Sequence, residues 1–176
     1  MKPVVLLVVL FLSVVACIGF SVSMADAATG TVTPTVVVSS TASLSIDDGG
    51  TLQWGSVGAG SSVTGTVTAS ISSNTDWTLW VQATSGYAGT NELASDNHRI
   101  PASCFTFTSV AGTPAPPGGN GVADPTPFDG DNAIAVWSGG TATSGCGVKV
   151  VYQLEVPAVQ QPGTYTATHT YTLVPS

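Results

Sequence analysis

In the stretch 164–173 threonine stands at every second position, and Tyr165, Ala167, His169, Tyr171 and Leu173 occupy the places between. A repeat of two sends successive side chains to opposite faces of an extended chain, whereas a helix would scatter the threonines around its axis. Threonine is also β-branched and stiff at χ1, which favours a pleated backbone. The segment is therefore expected to be a strand with one hydroxyl face and one largely apolar face. The preceding run alternates in the same way, with Val148, Val150, Tyr152, Leu154 and Val156 on one side and Lys149, Val151, Gln153 and Glu155 on the other. Gln161-Pro162-Gly163 lies between the two runs and supplies a turn, which predicts an antiparallel pair near the core.

Further strands are expected over 31–38, 44–46, 52–57, 62–69, 77–83, 104–110 and 133–138, separated by turns such as Asp47-Asp48-Gly49-Gly50 and Gly58-Ala59-Gly60. No stretch repeats convincingly at 3.6 residues. Roughly nine short strands with turns between them predict an all-β fold, a single-domain antiparallel β-sandwich of immunoglobulin-like type. Two stretches break the rhythm: 85–101 is a polar excursion, and 111–132 is rich in proline, glycine and aspartate and is expected to be a tethered surface loop.

The N-terminus sets the expected compartment. Lys2 is followed by an almost unbroken apolar run to Phe20, then by Ala25-Asp26-Ala27, the pattern of a secretory signal peptide cleaved after Ala27. This predicts a signal segment at 1–27 and a surface domain at 28–176, extracellular or at the cell surface, with no stable membrane insertion after cleavage. Two other readings of the same residues stay open. Val14-Val15-Ala16-Cys17 fits a lipobox, and the apolar run is just long enough for an uncleaved anchor. Export makes a disulfide between Cys104 and Cys146 the expected state, worth about 4 kcal/mol in the chain-entropy model.

Charge excludes several functions. Charged residues are 7% of the chain and the formal net charge is −7. With Lys2 removed, only Arg99 and Lys149 remain as basic residues, too few to neutralise a phosphate backbone, so no nucleic-acid partner is expected. A 43% hydrophobic content argues against disorder. The acidic residues sit mostly beside glycine, asparagine or proline, which are turn positions.

Catalytic groups are scarce. Gly55-Ser56-Val57-Gly58 misses the nucleophile-elbow spacing by one position. The two histidines, His98 and His169, lack metal-ligand spacing, and His169 reads as a core histidine with one hydrogen bond. Asp124, Asp129 and Asp131 offer oxygen ligands to calcium, but the run does not continue into an EF-hand loop. No Asn-x-Ser/Thr sequon occurs, while O-linked sugar on the threonines is permitted. The expectation is a noncatalytic protein without cofactor or metal.

The aromatic residues are the more informative set. Of four tryptophans, Trp77 shares a strand face with Leu79 and Val81, and Trp80 shares the opposite face with Thr78 and Gln82. If Trp77 is core, Trp80 points outward, as a platform for stacking on sugar or docking a protein, unless a long loop covers it.

Asp76-Trp77-Thr78-Leu79 and the ending over 163–173 resemble the WxL domain of bacterial cell-surface proteins. That family carries Trp-x-Leu in mid-domain and closes on Gly-Thr-Tyr-x-x-x-Leu-x-Trp-x-Leu. The first motif is intact as Trp77-Thr78-Leu79. In the second, Tyr171-Thr172-Leu173 replaces Trp-x-Leu, and His169 stands where leucine is usual. Arg99-Ile100-Pro101-Ala102 and Val156-Pro157-Ala158 are also similar, so the likeness spans most of 43–173. The Gly-Thr-Tyr…Leu ending is shared with secreted pilin-like subunits.

The WxL resemblance implies noncovalent attachment to the cell wall, with peptidoglycan as ligand; the expected wall-binding motif is Trp77, Leu79, Tyr171 and Leu173 from the resemblance, joined by Trp80 from its outward face on the same strand. The alternative expectation is a structural subunit of an extracellular filament that binds like subunits by donating its N-terminal strand, because Val32, Pro34, Val36 and Val38 alternate ahead of the domain.

Overall fold

The computed structural model describes residues 33–85, 93–95, 98–128 and 132–176. The proposed signal segment with Cys17, together with Asp129 and Asp131, lies outside the described residues. The chain divides into two units, Met1–Val37 and Val38–Ser176. In the first, residues 33–37 are exposed and without regular structure. The strand expected over 31–38 is therefore absent at its described positions.

The second unit holds eleven described strands: β1 (Ala42–Ile46), β2 (Ser62–Ser73), β3 (Trp77–Ser85), β4 (Leu93–Ser95), β5 (His98–Ile100), β6 (Phe105–Ala111), β7 (Asn120–Gly121), β8 (Thr126–Pro127), β9 (Ile134–Gly140), β10 (Thr143–Glu155) and β11 (Thr168–Pro175). Short 3-10 turns at Asp47–Gly50 and Ala102–Cys104 are its described helical pieces. One sheet runs β1-β2-β10-β6-β8, a second runs β11-β3-β9-β7, and β4-β5 form a small ribbon. All described pairings of strands are antiparallel. Ile71, Phe107, Val148 and Val150 of the first sheet share one core with Trp77, Leu79, Val81 and Val136 of the second. The result is an all-β fold with two sheets face to face, as the alternation predicts. The strand number exceeds nine because β4, β5, β7 and β8 are only two or three residues long.

The expected pairing of the last two long strands is corrected. Both edges of β10 are occupied, one by β2 with Val150 opposite Val67 and the other by β6 with Val150 opposite Ser109. β11 joins β3 in the other sheet, with Tyr171 opposite Val81. The chain turns at 157–160, ahead of the expected Gln161-Pro162-Gly163, with the Gln160 amide donating to the Pro157 carbonyl at 3.0 Å. This turn carries the chain over to the other sheet instead of closing a hairpin. The two strands meet across the core, where the Tyr152 and Tyr171 hydroxyls lie 2.7 Å apart.

The expected disulfide is also corrected: Cys104 and Cys146 are free. Phe105, the neighbour of Cys104, pairs with Leu154, whereas Cys146 lies at the other end of the same strand, opposite Ile71. At about 3.3 Å per residue along β10 the two cysteines stand roughly 25 Å apart, far beyond the ~4.4–6.8 Å Cα separation of a disulfide. Burial pushes the Cys146 thiol up, opposed by a hydrogen bond with Thr143, so it remains a protonated core side chain.

Two expectations about loops change for local reasons. The run 52–57 forms no ladder: Gly55 has φ +66, a left-handed conformation that breaks an extended chain. Its Leu52 and Trp54 side chains instead occupy the space beside Gly65, where an added Cβ would lie 2.6 Å from Leu52 Cδ1 and 2.9 Å from Trp54 Nε1. The stretch 111–132 is more than a surface excursion, because Phe128 is fully buried and Val122 packs on the core.

Ser109, buried on β6, ties these layers together. Its hydroxyl donates to the Val136 carbonyl on β9 and accepts from the Val122 amide at 2.7 Å. Ser109→Ala is expected to lower stability by about 1–3 kcal/mol, because it strands a buried carbonyl and a partly buried amide. Chemical denaturation measures this, and an unchanged midpoint would show that those groups find other partners.

Candidate functional site

Alternation along β3 sorts the residues singled out from the sequence. Trp77 and Leu79 are 1% and 0% exposed, and Val81 and Ala83 follow them into the core. Trp77 lies against Gly140 on β9, its register partner, and its indole N–H donates to the Thr141 carbonyl at 2.8 Å. Trp137 is buried on β9 and donates to the Gly118 carbonyl at 3.2 Å. Tyr171 and Leu173 of β11 face inward and pack on the core. Four of the five motif residues thus face the core: Trp77 and Leu79 are sealed inside it, and Tyr171 and Leu173 are half-buried against it.

Trp80 is the exception. It lies on the outer face of β3, half-buried, with Thr172 opposite it on β11 and Ala135 opposite it on β9. Thr78 and Gln82 flank it on the same face, and Gln82 pairs with Thr170. Thr168, Thr170 and Thr172 are exposed there, as the threonine repeat requires. The arrangement is a neutral strip of hydroxyls and one amide around an indole. Such a strip has one apolar plate for stacking and many groups that both donate and accept hydrogen bonds.

Among the described residues, three titratable side chains, His169, Tyr152 and Tyr171, cluster on the inner side of the sheets. The rings of Phe105, Phe128 and Tyr152 surround His169 at centroid distances of 5.3, 3.9 and 5.6 Å. Burial lowers the His169 pKa to about 4. Burial raises Tyr152 to about 12, opposed by the hydrogen bond with Tyr171. Burial raises Tyr171 as well, reinforced by the charge and the hydrogen bond of Tyr152. At neutral pH all three are uncharged and hold the sheets together.

Two clefts lie elsewhere on the described surface. The larger, about 650 Å³, lies at the start of β1 beside Thr41, Ser72, Asn74 and Thr143. Asn74 is already engaged there, accepting from the Thr41 amide at 2.7 Å and donating to the Ser39 carbonyl at 2.9 Å. The smaller, about 380 Å³, is lined by Cys104, Glu155, Ser61 and Ser62 among others. Among the described residues no group of three or more His, Cys, Asp or Glu is placed to hold a metal ion, and no helix is long and apolar enough to cross a membrane. Of the calcium candidates only Asp124 falls within the described residues, in an exposed position.

Phe128 and Gly140 were not legible as important residues. A lone phenylalanine in a Pro/Gly/Asp-rich stretch is the one signal for Phe128, and Gly139-Gly140 inside a strand is the signal for a close approach. No protein-family model matches the chain, and no curated protein matches it.

Proposed function

We propose that the chain is a noncatalytic cell-surface module, WxL-like in its motifs and immunoglobulin-like in its sandwich, exported by residues 1–27. In this reading it attaches to cell-wall polymer, with peptidoglycan as ligand, through the outer face of the β3–β11 pair. The supporting observation is Trp80, which faces outward among Thr78, Gln82, Thr170 and Thr172 while its neighbours Trp77 and Leu79 are core. A half-buried indole is held in one orientation by its surroundings, so stacking a sugar ring on it costs little ordering. The hydroxyls around it match the alternating donors and acceptors of a glycan, and the low charge of the strip suits a partner recognised by shape and hydrogen bonds.

Trp80→Ala is expected to reduce co-sedimentation with purified cell-wall sacculi at least tenfold while the unfolding midpoint moves far less than for a core tryptophan. Undiminished pelleting of the variant would remove this face from the reading.

A second reading, a filament subunit that donates its N-terminal strand, is favoured by one observation. Val36, Val37 and Val38 are 83%, 86% and 77% exposed, a run of β-branched residues of the kind that adds to a sheet edge. The same centrifugation separates the two readings, because a filament subunit pellets without sacculi.

A further inference from the structure

We propose that His169 is an acid-sensitive latch that holds edge strand β11 on the sandwich. β11 is the outermost strand of its sheet and is hydrogen-bonded there to β3. Its inward side chains reach the opposite sheet: the His169 ring packs on Phe105 and Tyr152, the Tyr171 hydroxyl meets that of Tyr152, and Leu173 packs on the core. The His169 ring is packed against Phe128, Phe105 and Tyr152, with Nδ1 3.3 Å from the Tyr152 hydroxyl. Its Nε2 is buried and has no hydrogen-bond partner.

An imidazolium must donate from both nitrogens. Here Nδ1–H has an acceptor in Tyr152, but Nε2–H faces a buried space without one. No counter-charge is at hand among the described residues packed on the ring. β10 presents Tyr152, β6 presents Phe105, the segment after β8 presents Phe128 and β3 presents Ala83 opposite in register, while Tyr171 of β11 joins through its hydroxyl contact with Tyr152. Both tyrosines are kept protonated by burial. The seated ring is thus compatible with the neutral imidazole and not with the cation.

The consequence for pH has a definite sign. With β11 released, His169 binds a proton at the ordinary imidazole pKa of about 6.5. Seated, it does so only near pH 4. The latch is intact above about 6.5, and between there and about 4 each pH unit shifts the equilibrium toward release by up to about tenfold. Release also dismantles the outer face that β11 shares with Trp80, so wall attachment would be lost over the same range. That last step rests on the proposed role of the face.

The test follows the full chain and His169→Leu from pH 7 to 3.5, by hydrogen exchange of the β11 amides and by denaturant unfolding. The folding constant of the natural protein is expected to fall relative to the variant by about tenfold per pH unit below pH 6, and several hundredfold in all, while protonation of surface carboxylates cancels between them. Parallel pH curves would overturn the latch. Should the variant fail to fold, the imidazole resonances of the natural protein decide. Protonation of His169 that coincides with loss of β11 protection supports the latch, and protonation near pH 6.5 with β11 still protected overturns it. Sacculus binding at pH 7 is scored separately. Its absence would sink the reading of the face and leave the latch standing, whereas parallel pH curves with binding intact would do the reverse.

Discussion

Trp77→Ala is expected to cost the domain about 3–5 kcal/mol, the range for deleting a fully buried tryptophan. Trp77 is among the largest fully buried side chains, and its removal leaves a cavity over Gly140 and takes the indole donor from the Thr141 carbonyl. Against a typical total of about 5–15 kcal/mol, this is much of the stability. Urea unfolding would show a lower midpoint with little change in slope. The result also bears on recognition. Lost wall binding in this variant would follow from lost folding, so only Trp80 reports on the outer face. A cost below about 1 kcal/mol would show that the indole is not structural and return Trp77 to the candidate ligand residues.

Gly140→Val is expected to cost about 3 kcal/mol, the upper end for overpacking a core. A Cβ on Gly140 would lie 2.3 Å from Trp77 Cε2 and 2.4 Å from Cζ2, closer than the 3.0 Å that real Cβ atoms keep. The obstacle is a rigid ring tied by its own hydrogen bond, so it does not swing aside as a long aliphatic chain would. The decisive measurement is the double variant. With Trp77 already alanine the clash partner is gone and the valine refills part of the cavity, so the combined loss should fall short of the sum by about 1–3 kcal/mol. Strict additivity would show that the backbone of Gly140, and not the indole, demands glycine there.

The candidate site was only partly legible. That Trp80 faces away from Trp77 and Leu79 follows from strand alternation. That Trp77, Leu79, Tyr171 and Leu173 share the core is equally local, which is why a motif that suggests recognition is, in this fold, also a packing motif. What surrounds Trp80 was not legible, because Thr172 and Ala135 reach it from strands far away in the chain.

The amino-acid sequence alone determined the β class and the two faces of the long strands. Period-two patterning is written residue by residue: the threonines of β11 are exposed, its intervening side chains half-buried, and Val148, Val150, Tyr152 and Leu154 are core. Only the tertiary structure decided which strands are partners. β10 found both edges occupied by β2 and β6 and left β11 to pair with β3, a competition among distant segments that no local pattern encodes. The same competition placed Cys104 and Cys146 toward opposite ends of β10, seated Phe128 among the core aromatics, and set Trp77 on Gly140. Each depends on register and crossover, which arise when two whole sheets bury their apolar faces against each other.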